Sequence, residues 1–369
     1  MLDFTSALYL GLRHPTWALR PWWQLTTGRP AALQSPPGAE SVAGDLARLL
    51  GCERAALGTS TLHIYWDLFE VMARERIGIY MDAGVYPIVR WGVERVAGKG
   101  VPTAGFQRHD PAALKDLLHR HLKPGFRPVV VTDGFCPATG RTAPLAEYLN
   151  LVRAHAGYLV IDDTQALGIL GRDPGTNAPY GWGGGGTPVW HGIQGPELIV
   201  GSSLAKGFGV PLAVLAGSSQ VIANFEALGS TRVHCSPPSA AVINAAERAL
   251  AINDGQGGCL RSRLLRLVRG FRKRLCRAGF SAWGGFFPVQ TLKPMPGVDA
   301  VWLHEHLLRL GISSVLHQAG QGQVPRLSFL ITALHRPSQI DQCTAALEHA
   351  CVLARRRCGG KNHESTVCL

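Results

Sequence analysis

Short apolar runs alternate with amphipathic stretches from about residue 49 to residue 255. The runs at 127–132, 158–161, 198–200 and 212–215 are rich in Val, Ile and Leu with no polar residue on alternate positions, which predicts strands buried on both faces. Helical patterns between them predict a mostly parallel sheet covered by helices, an α/β domain over 41–255. Beyond Gly255 the texture changes. A basic helix is expected at 260–278, a strand at 287–292, a helix at 300–310, a strand at 327–332 and a last helix at 338–356, a smaller α+β domain over 256–357. The glycine-rich stretch 181–192 reads as a mobile loop, and 358–369 as a flexible tail.

Composition narrows the classes. Of 369 residues, 46% are hydrophobic and 17% charged, which excludes a disordered chain. Nine cysteines show no CxxC pair and no metal-like spacing with histidine, so free thiols and no metal are expected. No apolar stretch of about 18 residues lacks a charge, and the opening residues lack a basic n-region and an apolar h-region. The reading is a cytoplasmic protein with no membrane span and no signal peptide. The net charge of +12 comes from scattered arginines, densest at 261–277 on a solvated helix face, which argues against a nucleic-acid surface. A phosphorylated cofactor, coenzyme A or an acidic carrier protein suits that charge equally well.

Three elements carry candidate chemistry. Residues 158–168 (YLVIDDTQALG) form a hydrophobic strand ending in Asp162 and Asp163, where ligands of open α/β sheets bind, although a strand-end Asp is more often a turn or cap. In 200–210 (VGSSLAKGFGV) a single lysine, Lys206, stands among small and apolar residues. Desolvation there lowers its pKa toward an amine able to form a Schiff base, while a lysine reaching to the surface is the plainer reading. Residues 57–63 (LGTSTLH) open a helix through Ser60 and Thr61, a loop suited to holding phosphate on backbone N–H groups. Together these describe a pyridoxal-phosphate site: a phosphate cradle, a lysine for the aldehyde and a carboxylate for the pyridine nitrogen.

The chain resembles the α-oxoamine synthases, fold type I pyridoxal-phosphate enzymes. The resemblance runs from 3–12 (DFTSALYLGL) through 132–145, VIDDTQALG and LAKGFGVPLAVLAGSS to 332–335 (TALH), nearly the whole chain. It implies a large domain with a mostly parallel central sheet, a smaller C-terminal domain joined by residues 1–40, and a homodimer. It assigns Lys206 to the Schiff base, Asp162 to the pyridinium nitrogen and Ser203 to the phosphate. Tyr86 takes the place of a His that stacks on the cofactor ring, and Gln165 that of a His that hydrogen-bonds its phenolic oxygen; an amide donates there but takes up no proton. Within 231–238, Ser236 or His234 is expected to contact phosphate across the dimer interface. His63 and His335 line the site or are structural, and Trp182 and Trp190 are candidates to close over a substrate.

Several positions depart from the family. An Asn and an Arg that grip the substrate α-carboxylate align with Ala7 and Ser328, with Arg326 the nearest guanidinium, on the same strand face as Ser328. Pro137 and Thr139 also replace family residues. These changes imply an amine substrate without a free α-carboxylate, or one held differently, for which Arg326 could serve; simple drift or a one-gap shift in the alignment is the alternative. The activity expected is condensation of an amino-acid-derived carbon with an acyl thioester of coenzyme A or acyl carrier protein. An aminotransferase, lyase or racemase on the same fold, or a non-catalytic paralogue, is the alternative.

Overall fold

The computed structural model describes residues 1–317 and 324–360. They form two compact units: a larger one of Leu12–Cys136 and Thr142–Gly258, and a smaller one of Met1–Gly11, Pro137–Arg141 and the chain from Cys259. Of the segment 1–40 assigned from sequence to the smaller domain, only the first 11 residues lie there. Residues beyond Gly11 are tied to the larger unit by long-range polar contacts: His14 Nε2 donates to Phe208 O at 2.8 Å and the Arg248 guanidinium to Arg13 O at 3.1 Å.

The larger unit holds a seven-stranded sheet of Arg54–Gly58 (β1), Ile77–Asp82 (β2), Thr103–Phe106 (β3), Arg127–Asp133 (β4), Tyr158–Asp162 (β5), Leu198–Ser203 (β6) and Ala213–Gly217 (β7). Their spatial order is β1-β7-β6-β5-β4-β2-β3, with β7 antiparallel to both neighbours and the remaining pairs parallel. Helices cover both faces, as the unbroken apolar runs require. Following helix Ala39–Leu50 (α1) in the chain, helices Thr61–Met72 (α2), Pro87–Ala97 (α3) and Ser219–Leu228 pack Tyr65, Phe69, Val89 and Phe225 with Val129 and Val131. Val130, between them, joins Leu114, Leu118, Tyr148 and Val152 of helices Pro111–His121 and Leu145–Arg153 on the opposite face. Each such buried side chain contributes about 1.5–3 kcal/mol. The strands extend past their predicted ends: β5 takes in Asp162 and β6 takes in Ser203, so both candidate residues sit on the sheet's rim.

Two expectations change. The helix expected at 260–278 is a 38-residue helix, Ala240–Arg277, that passes straight through Gly255 and Gly258. An apolar stripe of Leu264, Val268, Phe271 and Leu275 continues Ile243, Ala246 and Ala249, and packing along it outweighs the roughly 1 kcal/mol that each interior glycine costs. The stretch 181–192 is pinned: Gly168 N donates to Gly184 O at 2.8 Å, Trp182 N to Arg172 O at 2.8 Å and Gly186 N to Leu170 O at 2.7 Å.

The smaller unit pairs Ala282–Trp283 (β8), Val289–Leu292 (β9), Val315–His317 (β10) and Arg326–Leu330 (β11) in an antiparallel sheet of order β8-β9-β11-β10. Helices Ala300–Arg309 and Pro337–Gly360 belong to it, and Leu2–Asp3 pairs in parallel with Ile312–Ser313. Residues 358–360 of the expected tail are helical, and 361–369 lie outside the described residues.

Candidate active site

The carboxyl edge of the parallel strands gathers carboxylates. Asp133 ends β4 and Asp162 ends β5, and the two are register partners; Asp162 is in turn the partner of Gly201 on β6. Neighbours in register share a face, so the two carboxylates are neighbours on one side of the sheet. Thr164 N donates to Asp162 Oδ1 at 2.9 Å, and the Thr164 hydroxyl accepts from Ser203 N at 3.0 Å, which fastens the end of β5 to the end of β6. The turn after β6 brings Lys206 to these acids. Burial drives the Lys206 ammonium below its ordinary value, while Asp162 and then Asp133 oppose the shift.

Burial also raises the Asp162 carboxyl, against the Thr164 contacts and the charge of Lys206. Asp133 is pushed up to about 8, first by burial and then by the Asp162 charge, although Tyr86 N donates to its Oδ1 at 3.1 Å. A buried carboxylate beside a buried amine is the donor set that a protonated pyridine with an aldehyde arm calls for. The Tyr65 hydroxyl, wholly buried, faces the same acids and has no hydrogen-bond partner among the described residues. These residues fit pyridoxal phosphate.

Asp163 serves otherwise. Its Oδ2 accepts from Thr187 N at 2.8 Å and its Oδ1 from the Thr187 hydroxyl at 2.5 Å, so it anchors the glycine-rich stretch. Gly186, at φ 92°, lies so close that a Cβ there would meet Asp163 Oδ2 at 1.8 Å. Burial pushes Asp163 up to about 7.

At the start of α2, Ser60 is the N-cap, its Oγ accepting from His63 N at 3.4 Å and hydrogen-bonded to His63 Nδ1 at 2.7 Å. Thr61 begins the helix. A cavity beside it is lined by Gly58, Thr59, His63, Thr231, Arg232 and Ser236. Ser236, expected from the resemblance to reach across a dimer interface, thus lines a cavity with His63 of its own chain. Tyr86 caps α3 with its ring 54% exposed, and Gln165 follows Thr164 in the turn after β5.

Ala7, Arg326 and Ser328 belong to the smaller unit. Ser328 is fully buried, its Oγ between His317 Nε2 at 2.8 Å and the Thr291 hydroxyl at 2.7 Å. The Arg326 guanidinium lies 4.9 Å over the Trp283 ring. His335 is structural: it stacks on Phe4 at 4.5 Å, with Nε2 on Asp3 O at 2.9 Å. Among the described residues no group of three or more His, Cys, Asp or Glu is arranged to hold a metal, and no helix is long and apolar enough to cross a membrane.

The profile of the aminotransferase class I and II family matches residues 18–319. The chain belongs to that family. It is 30% identical over 253 residues to an 8-amino-7-oxononanoate synthase of Thioalkalivibrio sulfidiphilus, an alignment covering 67% of this chain and 62% of that protein. With the enzyme of the same name from Pectobacterium atrosepticum it is 25% identical over 359 residues, 95% of this chain and 88% of the relative. Among solved structures, Sphingomonas wittichii serine palmitoyltransferase matches with a TM-score of 0.80 at 16% identity, covering 96% of this chain and 88% of that one. An 8-amino-7-oxononanoate synthase from Francisella tularensis matches with a TM-score of 0.73 at 15% identity, covering 96% and 98%. The fold is that of the fold type I pyridoxal-phosphate transferases, and the resemblance to the α-oxoamine synthases extends to these relatives.

Sequence reasoning passed over Asp133 and Tyr65. Asp133 sits within the matched stretch 132–145, but its place beside Asp162 rests on a cross-strand register. Tyr65 reads as one more apolar position of α2.

Proposed function

We propose that this chain is a pyridoxal-phosphate-dependent acyltransferase of the α-oxoamine synthase type, which joins an amine-bearing carbon to the acyl group of a thioester. The observation that carries this reading is Lys206 brought to the buried Asp162 at the ends of neighbouring strands. When bound, pyridoxal phosphate supplies the electron sink that lets the carbon next to the amine lose a proton and become nucleophilic. Lys206 Nζ holds the cofactor and, once released, takes up that proton; its lowered pKa leaves more of it neutral for both tasks. Asp162 keeps the pyridine nitrogen protonated. The N-terminus of α2 with Ser60 and Thr61, together with Ser203 and Ser236, holds the phosphate. Tyr86 offers its exposed ring to the cofactor face, and the Gln165 amide donates to the phenolic oxygen.

On the smaller unit, Ser328 is neutral and already satisfied by His317 and Thr291, and Ala7 has no polar side chain. Such groups suit an amine with no free α-carboxylate; Arg326, two residues before Ser328, is the nearest guanidinium. The acyl donor is a coenzyme A or carrier-protein thioester, to which the net charge of +12 is suited. The family's sites support a homodimer.

The test is thiol release from an acyl-coenzyme A by the cofactor-loaded protein, across amino acids and their esters or amides. Release that needs both amine and thioester, strongest with the carboxylate-masked amines, is expected. Pyridoxamine phosphate formed with amine alone contradicts the reading in favour of an aminotransferase.

A further inference from the structure

Tyr65 is out of place as a purely structural residue. Its ring has the burial and the neighbours of a core side chain: it is wholly buried and stacks on Phe69 at 6.2 Å in the cluster between α2, α3 and the sheet. A phenylalanine would supply all of that. The added hydroxyl is buried with no hydrogen bond within 3.5 Å among the described residues, its one candidate acceptor being Asp162, and a buried hydroxyl short of a full bond costs free energy unless something repays it.

The hydroxyl is not buried at random. A Cβ on Gly201 would stand 2.4 Å from Tyr65 Oη, so the glycine in β6 is what admits the hydroxyl to the sheet face. Gly201 is the register partner of Asp162, and on that face Oη meets the negative ends of Asp162, Asp133 and Asp163, with Asp162 the strongest of the three. Asp163 already takes two bonds from Thr187, and Asp133 takes the Tyr86 N–H. Burial and these acids raise the phenol well above its ordinary value, so it acts as a donor and never as an anion.

Resting on the functional reading above, we propose that Tyr65 is a positioning residue of the cofactor site, its hydroxyl donating to the Asp162 carboxylate when that carboxylate is ionised against the protonated pyridine nitrogen of pyridoxal phosphate. Burial raises the Asp162 carboxyl and Tyr65 is among the groups that oppose the shift, so the hydroxyl already faces the carboxylate whose charge the bound ring would call for. With the ring bound, this further donor holds the carboxylate's charge and orientation. Lys206, on the opposite side of the charge balance, is the cation facing the same group, and the N–H and hydroxyl of Thr164 are its other donors.

The experiment uses the full chain with and without pyridoxal phosphate, comparing wild type, Tyr65→Phe, Asp162→Asn and the double variant. Thermal unfolding of the cofactor-free Tyr65→Phe protein should match or exceed wild type, because the orphan hydroxyl is gone. Its dissociation constant for pyridoxal phosphate should rise by about 10-fold, the size of one hydrogen bond to a charged group, and the pH at which the visible absorbance band titrates should move. In the Asp162→Asn background the same substitution should change neither, while in an Asp133→Asn background it keeps its effect. Gly201→Ala, which crowds Oη without removing it, should weaken cofactor binding in the same direction. Wild-type affinity and band titration in Tyr65→Phe, or an undiminished effect without Asp162, overturn the proposal. A wild-type protein that forms no visible band fails at the functional reading itself, a distinguishable result.

Discussion

Lys206, Asp162 and Asp163 divide the work at the sheet edge. Asp162→Asn keeps the size of the side chain but removes the charge proposed to hold the pyridine proton, so kcat is expected to fall on the order of 100-fold with little change in unfolding temperature, measured as thiol release beside a thermal melt. Asp163 carries a pH signature of its own. Its folded pKa, about 7, lies above the unfolded carboxylate value of about 3.9, so the folded state holds a proton that the unfolded state has lost. The stabilisation is complete below pH of about 4 and disappears as pH rises toward 7, so wild type should lose more stability over that window than Asp163→Asn, read by urea unfolding at each pH. A wild type and variant that change in parallel would show that Asp163 does not titrate there. Both strand-end acids were visible in the sequence, and so was the solitary Lys206. That one acid faces the lysine while its neighbour anchors a loop was not, because adjacent residues on a strand rim turn to different partners.

At the scale of elements, the buried strands were legible because parallel strands covered on both faces must be apolar without alternation. The helix Ala240–Arg277 was legible only in its second half: Gly255 and Gly258 look like breaks, and only tertiary packing says otherwise. A Cβ at either would meet nothing within 4 Å. Gly255→Ala should therefore stabilise the protein by about 0.5–1 kcal/mol in urea unfolding. Gly171→Ala should do the reverse, since its Cβ would fall 1.9 Å from Trp182 O in the strap that Asp163 anchors. The glycines of that strap are there for close packing and positive φ, and their density in the sequence was indistinguishable from that of a mobile loop.

The whole molecule divides along lines that the sequence showed only in part. Residues 137–141 belong to the smaller unit although they interrupt the larger one, and residues 12–40 stay with the larger unit. Such assignments follow from long-range contacts that no local pattern encodes. The candidate chemistry of Lys206, Asp162, Ser203, Gln165, Tyr86 and the start of α2 lies within the larger unit alone, so the cofactor claim is separable from any claim about the amine. The most direct test is borohydride reduction of the protein loaded with pyridoxal phosphate, followed by peptide mass mapping of wild type and Lys206→Ala. A single cofactor adduct on the peptide bearing Lys206, absent from the variant together with the visible band, is the predicted result. An adduct on other lysines, or one that persists in Lys206→Ala, would contradict the account at its centre.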